Sequence, residues 1–222
     1  YNMTILNYEG HYIGLPSVFY RTGPEPPWNN YDGFKEIQLI SSRDLRSWNR
    51  IGDRRAFIGP SQGNDGLLGV FDRNSFTASS KMVKRGNELW FYYWGSKFRD
   101  NPYLLHQDGS PRSIEALTPL ERADLNDGTN ALCLAVLRQD GFVSLDAEVT
   151  GGYLLSKPLR MEGSTLYLNL YATQGHALVQ VVDSEGRTFP GFTKDNCVPV
   201  TGNSCLLYTS DAADEGLGVD LG

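Results

Sequence analysis

Apolar residues along this chain come in short alternating runs, separated by clusters of Gly, Pro, Asn and Asp. The runs Tyr12 to Tyr20, Ile37 to Ser41 and Leu89 to Trp94 read at a period near two, and almost no stretch returns its apolar residues at helical spacing. That pattern predicts an all-β chain. From Tyr1 to Ile58 it predicts four strands in order, YNMTILNY, HYIGLPSVFY, FKEIQLISS and RIGDRRAFI, with the first innermost. Between the second and third lies TGPEPPWNNYDG, Thr22 to Gly33, a Pro-rich loop too polar to be buried. Trp28 and Tyr31 on that loop offer aromatic faces that can stack on a sugar ring or cover the base of their own loop.

The order of runs then repeats. An aromatic run (Leu89 to Trp94), a loop and a strand (Leu132, Leu134, Val136) lead to LRQDGFVSL, which places Asp140 where SRDLRSWNRIGDR has Asp44. A repeat of short strands punctuated by turns predicts propeller blades in preference to a sandwich or a lone hairpin. Within each turn the residues read as scaffold. Asp44 accepts from following backbone amides and Trp48 packs blade on blade, while Asp140-Gly141 forms a tight turn with Gly at positive φ and Phe142 takes the packing place.

Gly59 to Gly69 delivers the chain to VFDRNSFTASSKMV, the inner strand of the second blade, with NELWFYYWG beside it. Ser96 to Asn130 is an insertion long enough to lie over a propeller face. Inside it Thr118-Pro119-Leu120-Glu121 supplies an N-cap, a first-turn Pro and a Glu at the third position, so a short helix is expected there. Arg99, Arg112 and Arg122 read as salt-bridged surface. From about Lys157 the repeat stops: STLYLNLYA alternates, and HALVQVVDSEGRTFPGF sets two strands about Asp183 to Gly186. These predict a small antiparallel sandwich over 157–204, after blades over 1–156.

Composition matches a globular protein, 40% hydrophobic with 24 Gly and 11 Pro placed between apolar runs. Neither the charge balance nor any apolar run points to nucleic acid or a membrane as partner. Cys133 and Cys197 lack metal-type spacing. Paired His at metal spacing, a Gly-rich phosphate loop and a GxSxG elbow are all absent from the sequence, so no cofactor is expected.

SSRDLRSW after an aromatic strand resembles the blade signature of the five-bladed propeller glycosidases, glycoside hydrolase families 43 and 32. RQDGFVSL, GGYLLSKPL, EGSTLYLNL, VVDSEGR and PGFT are similar, more narrowly, to the end of a family-32-like group in which a propeller precedes a β-sandwich. The resemblance covers Tyr1 to about Ser204. It implies a carbohydrate substrate or ligand, about two of five blades, and carboxylates at or near the starts of the inner strands. Phe71-Asp72 matches the family's aromatic-Asp pair, so Asp72 is the expected catalytic residue, with a turn cap as its ordinary alternative. Asp65 and Asp53 are possible companions, and Arg54, Arg55, Arg73, His106 and Trp28 are candidates to contact the sugar. Glycosidic hydrolysis needs two carboxyl groups across the bond. The family's usual nucleophile and Glu-Cys type motifs have no match here. A glycan-binding or scaffold propeller is therefore the alternative.

CLLYTSDAADEGLGVDLG, Cys205 to Gly222, resembles a translated sequencing adapter and is expected to pack on nothing. Setting aside its Asp211, Asp214, Glu215 and Asp220 leaves 22 of the 26 acids against 20 bases, and moves the net charge from -6 to -2. Tyr1 in place of Met, with YNMTIL already a strand, is expected of a fragment, so export is left open.

Overall fold

The computed structural model describes residues 1–21, 33–61, 70–97, 112–160 and 166–208. It is mostly β, in curled antiparallel sheets. Two compact units divide the chain, Tyr1–Leu137 and Arg138–Gly222.

The first unit opens with the strands β1 (Met3–Tyr8), β2 (His11–Tyr20), β3 (Phe34–Gln38), β4 (Ile40–Ser42), β5 (Asn49–Arg50) and β6 (Ala56–Ile58). On one side of β2 runs β1, with Ile13 opposite Leu6. On the other side the start of β2 meets β4 and its end meets β3, with Ser17 opposite Ile37. Beyond them β5 pairs with β4 and β6 with β3. The expected four strands thus lie side by side in chain order, the third and fourth each broken in two. Asp53 and Arg54, at φ 52 and 61, make the break in the fourth. Residues facing each other across strands share a face. Leu6, Ile13, Leu15, Ile37 and Leu39 are all buried.

A second sheet follows in the same unit, ordered β7 (Ser75–Arg85), β8 (Glu88–Ser96) and β9 (Asn130–Arg138). Its first strand lies against β1, β2 and β3. Phe76 is 0% exposed at that junction, and its carbonyl accepts from Ser17 Oγ at 2.8 Å. Thr4 Oγ1 donates to the Ala78 carbonyl at 3.1 Å, and Phe91 meets Phe57 edge-on at 5.6 Å between centroids. The alternation of β8 explains this: Leu89, Phe91 and Tyr93 are buried, while Trp94 is exposed. On the exposed side stand Val83, Trp94, Leu132, Leu134 and Val136.

The insertion carries the expected helix, α1 (Pro119–Asn126). Thr118 Oγ1 accepts from the Glu121 amide and the Glu121 carboxylate from the Thr118 amide, so the capping box is complete. Arg112 pairs with Glu121 at 2.8 Å, and Arg122 donates to the carbonyls of Leu117 and Glu115. Arg99 lies outside the described residues.

The two repeated turns differ. Asp44 Oδ1 accepts from the amides of Arg46 and Ser47 at 2.8 Å and from Ser42 Oγ at 3.0 Å, with Leu45 at φ 61. In the later turn Asp140 itself holds the left-handed conformation, φ 59, where Gly141 was expected to. An Asp side chain tolerates that region because it can bond locally to its own backbone. Trp48 is half-buried and sits on its own sheet: a Cβ on Gly14 would lie 3.0 Å from Trp48 Cζ3 and 2.5 Å from Ile40 Cγ1. A bare Gly14 makes room for the indole, so Trp48 closes one end of its own sheet. Phe142 is half-buried in a bend after β9, and no edge strand follows it in residues 142–147.

The second unit holds a two-stranded antiparallel sheet, β10 (Tyr167–Ala177) and β11 (Val200–Tyr208). Arg138 Nη1 donates to Asn203 Oδ1 at 2.7 Å, and Asn169 Nδ2 to the Gln139 carbonyl at 2.8 Å. Around the Asp183 turn the expected pair of strands is a single bridge, Val182 to Thr188. Asp183 accepts from the amides of Glu185 and Arg187, and the Arg187 bonds hold its carboxyl below the usual range. No second sheet faces β10 and β11 among the described residues of this unit. Backbone pairing of β11 runs past Ser204, with Leu207 opposite Leu168 and Tyr208 opposite Tyr167. This pairing departs from the expectation that the chain from Cys205 packs on nothing. Ladder bonds use main-chain groups that every residue but Pro carries, so they form without regard to side-chain pattern. Residues 209–222 lie outside the described residues.

Phe76→Ala should cost about 3–5 kcal/mol, since its cavity is closed by both sheets. Val83→Ala on the exposed face should cost within about 0.5 kcal/mol. Urea unfolding of the full chain checks both. The backbone amides of Ser47 and Arg46 lower the Asp44 pKa to about 2. A carboxylate held lower in the folded state adds stability that is full above the unfolded value, roughly 3.9, and is lost as pH falls toward the folded one. Asp44→Asn should therefore flatten the acid limb of stability between about pH 4 and pH 2, read from thermal midpoints at stepped pH.

Candidate functional site

Phe71 to Asn74 is the lead-in to β7, and it is not itself a strand. Backbone bonds string it between neighbours: the Ser61 amide donates to the Asp72 carbonyl at 2.9 Å, the Asn74 amide to the Ser96 carbonyl at 3.0 Å, and the Lys35 amide to the Asn74 carbonyl at 2.7 Å. Asp72 therefore stands three residues before β7, the first strand of the second sheet.

Its carboxylate is buried, 9% exposed for the whole residue. Ser61 Oγ and Tyr93 Oη both donate to Oδ2, each at 2.6 Å. Tyr93 arrives there by the alternation of β8, as the polar-tipped last member of the buried Leu89, Phe91, Tyr93 row. Beneath lies Gly95, where a Cβ would fall 3.0 Å from Asp72 Cβ and from Cys133 Sγ alike. A side chain at this position would crowd both Asp72 and Cys133. Burial, then the Asp72 carboxylate, pushes the Tyr93 phenol far above its ordinary range. The same two causes raise the Cys133 thiol.

The residues on either side of Asp72 turn toward a second cluster. Arg73 Nη2 bonds Asp124 Oδ2 of α1 at 3.0 Å. Lys97, whose side chain is fully buried, bonds Asp124 Oδ1 at 3.0 Å and Asp127 Oδ2 at 2.9 Å, and also donates to the Asp124 carbonyl. Its ammonium stands 4.8 Å from the centroid of the Phe71 ring. Buried charges require such pairing, because an unpaired one costs several kcal/mol.

Of the residues expected at the site, Asp72 is in a built hydrogen-bond network and Arg73 is beside it, bonded to Asp124. Arg54, Arg55 and Asp53 are exposed, at or next to the turn Gly52–Arg54, and no described bond joins them to Asp72. Trp28, Tyr31, Asp65 and His106 lie outside the described residues. Ser61, Tyr93, Lys97 and Asp124 were missed. Tyr93 was legible as the hydroxyl-bearing end of an apolar alternating row, which when buried needs a partner. Lys97 and Asp124 carried no local signal, since each is explained only by the other. No group of three or more His, Cys, Asp or Glu could hold a metal ion among the described residues. No described helix is long and apolar enough to cross a membrane.

No family model, curated protein or solved structure matches this chain. The site is therefore read from its own chemistry. One carboxylate, oriented by two hydroxyl donors, can accept from a polar ligand or steady a developing positive charge. A second carboxyl group, needed for glycosidic hydrolysis, does not join its hydrogen-bond network among the described residues.

Tyr93→Phe removes a buried donor and should cost about 1–3 kcal/mol in urea unfolding. Ser61→Ala, at a less buried bond, should cost less, and the double variant should be non-additive because both hydroxyls serve one oxygen.

Proposed function

We propose that this chain is part of a glycoside hydrolase-like protein, about two blades of a five-bladed propeller followed by a small sandwich, and that the protein acts on the glycosidic bonds of poly- or oligosaccharides. The observation that carries the reading is Asp72: a buried carboxylate at the start of a sheet, aimed by two hydroxyls at 2.6 Å. Support also comes from the first sheet, a four-strand meander in chain order with a second sheet stacked on its buried face. In this reading Asp72 is one member of a carboxylate set collected from several blades, and carbohydrate is the ligand. The acid and its partner work from opposite sides of the bond.

A second reading, a glycan-binding or scaffold propeller without cleavage, is favoured by the depth of Asp72. A carboxylate held this closely also serves as an internal tie between Ser61 and β8.

The test is Asp72→Asn in the intact protein, assayed by reducing-sugar release from a panel of polysaccharides and by affinity electrophoresis in the same glycans. The hydrolase reading expects loss of release by about 100-fold or more, as for removal of an acid-base or charge-stabilising group. The melting temperature should move by only a few degrees. Retarded migration without release by the intact protein would establish the second reading. An Asp72→Asn chain as active as the parent would make Asp72 structural.

A further inference from the structure

The geometry points to the buried pair Lys97–Asp124 as the device that positions Asp72, with helix α1 acting as a clasp on the segment that carries it. This rests on the reading of Asp72 as the working carboxylate. Segment 71–73 has no strand ladder of its own. Besides the bond from the Ser61 amide to the Asp72 carbonyl, it is held through the side chains that flank Asp72. Phe71 lies under the Lys97 ammonium at 4.8 Å, and Arg73 is bonded to Asp124 at 3.0 Å. Those two anchors are themselves joined, Lys97 to Asp124 at 3.0 Å, with both side chains fully buried. One ion pair thus grips the residue before Asp72 and the residue after it. Asp72 is held by a different set, Ser61 and Tyr93.

The pair also links elements far apart in sequence. Lys97 directly follows β8, the strand that carries Tyr93, and Asp124 lies in α1. Seating α1 therefore sets the distance between Asp72 and its Tyr93 donor. Asp127, at the end of α1, adds a second carboxylate to Lys97 at 2.9 Å. Simple stability would not need this arrangement, since apolar residues fill such a volume at no greater cost.

Cys133 provides a local reporter, because its sulfur and Asp72 Cβ crowd the same point above Gly95. In a Cys197→Ser, Cys205→Ser chain, Cys133 is the only thiol, and its rate of reaction with Ellman's reagent measures release of Asp72. Lys97→Met should raise that rate by about tenfold or more under conditions where the chain stays folded. Lys97→Arg, which keeps the charge and both carboxylate bonds, should restore it. Asp124→Asn gives the same measurement from the other partner should Lys97→Met fail to fold. A rate that rises no more than the loss of global stability requires, or one that Lys97→Arg does not restore, overturns the clasp. Reducing-sugar release by the same variants separates the two ideas. If Asp72→Asn leaves release unchanged while Lys97→Met frees Cys133, the clasp stands and the catalytic reading of Asp72 falls.

Discussion

Phe76 is where the first unit is decided. Its ring is fully buried between the two sheets, and its carbonyl takes the Ser17 hydroxyl that rises from the strand beneath. Removing a Phe side chain from water is worth roughly 1.5–3 kcal/mol, and here the same residue also satisfies a buried hydroxyl. Because Phe76 sits at the start of β7, it fixes the height at which the second sheet begins. The preceding residues, Phe71 to Asn74, must then bridge from Ser61 to that point. Asp72 is carried into its position by this constraint, and its neighbours follow from it.

The polar chemistry around Asp72 is arranged in two halves that meet at the backbone. On one side two hydroxyls converge on a single carboxylate oxygen, above a glycine that leaves space for them. On the other, Arg73, Lys97, Asp124 and Asp127 form a set of paired charges beneath α1. Burying such charges costs several kcal/mol per ion, and mutual attraction offsets it only with good geometry. The observed contacts of about 3 Å meet that condition. A long insertion is thereby anchored by its helix rather than by its length.

The outer side of the second sheet has a different character. Trp94, Leu132, Leu134 and Val136 are exposed there, and so is Val83, which lies opposite Trp90. The opposite face of the same sheet packs on the first sheet through Phe76 and through Phe91 against Phe57.

Strand content, the order of the first four strands and the capped helix at Thr118 were legible because each depends on local rules: period-two alternation, turn residues and a four-residue capping box. Asp72 was legible as a position, a carboxylate just ahead of a strand. The equivalence of the two Asp turns was not, because Asp44 acts through its side chain and Asp140 through its own left-handed backbone, and the same letter serves both. Nor could the sequence indicate that Trp48 would fold back on Gly14 and Ile40, since that contact joins residues brought together only by strand pairing. Lys97 and Asp124 lie 27 positions apart, and neither has a reason to be buried without the other. Local propensity and periodicity belong to the sequence by itself. The pairing of distant charges and the choice of which hydroxyls reach Asp72 belong to the tertiary structure, because only the packed chain removes them from water and makes a missing partner costly.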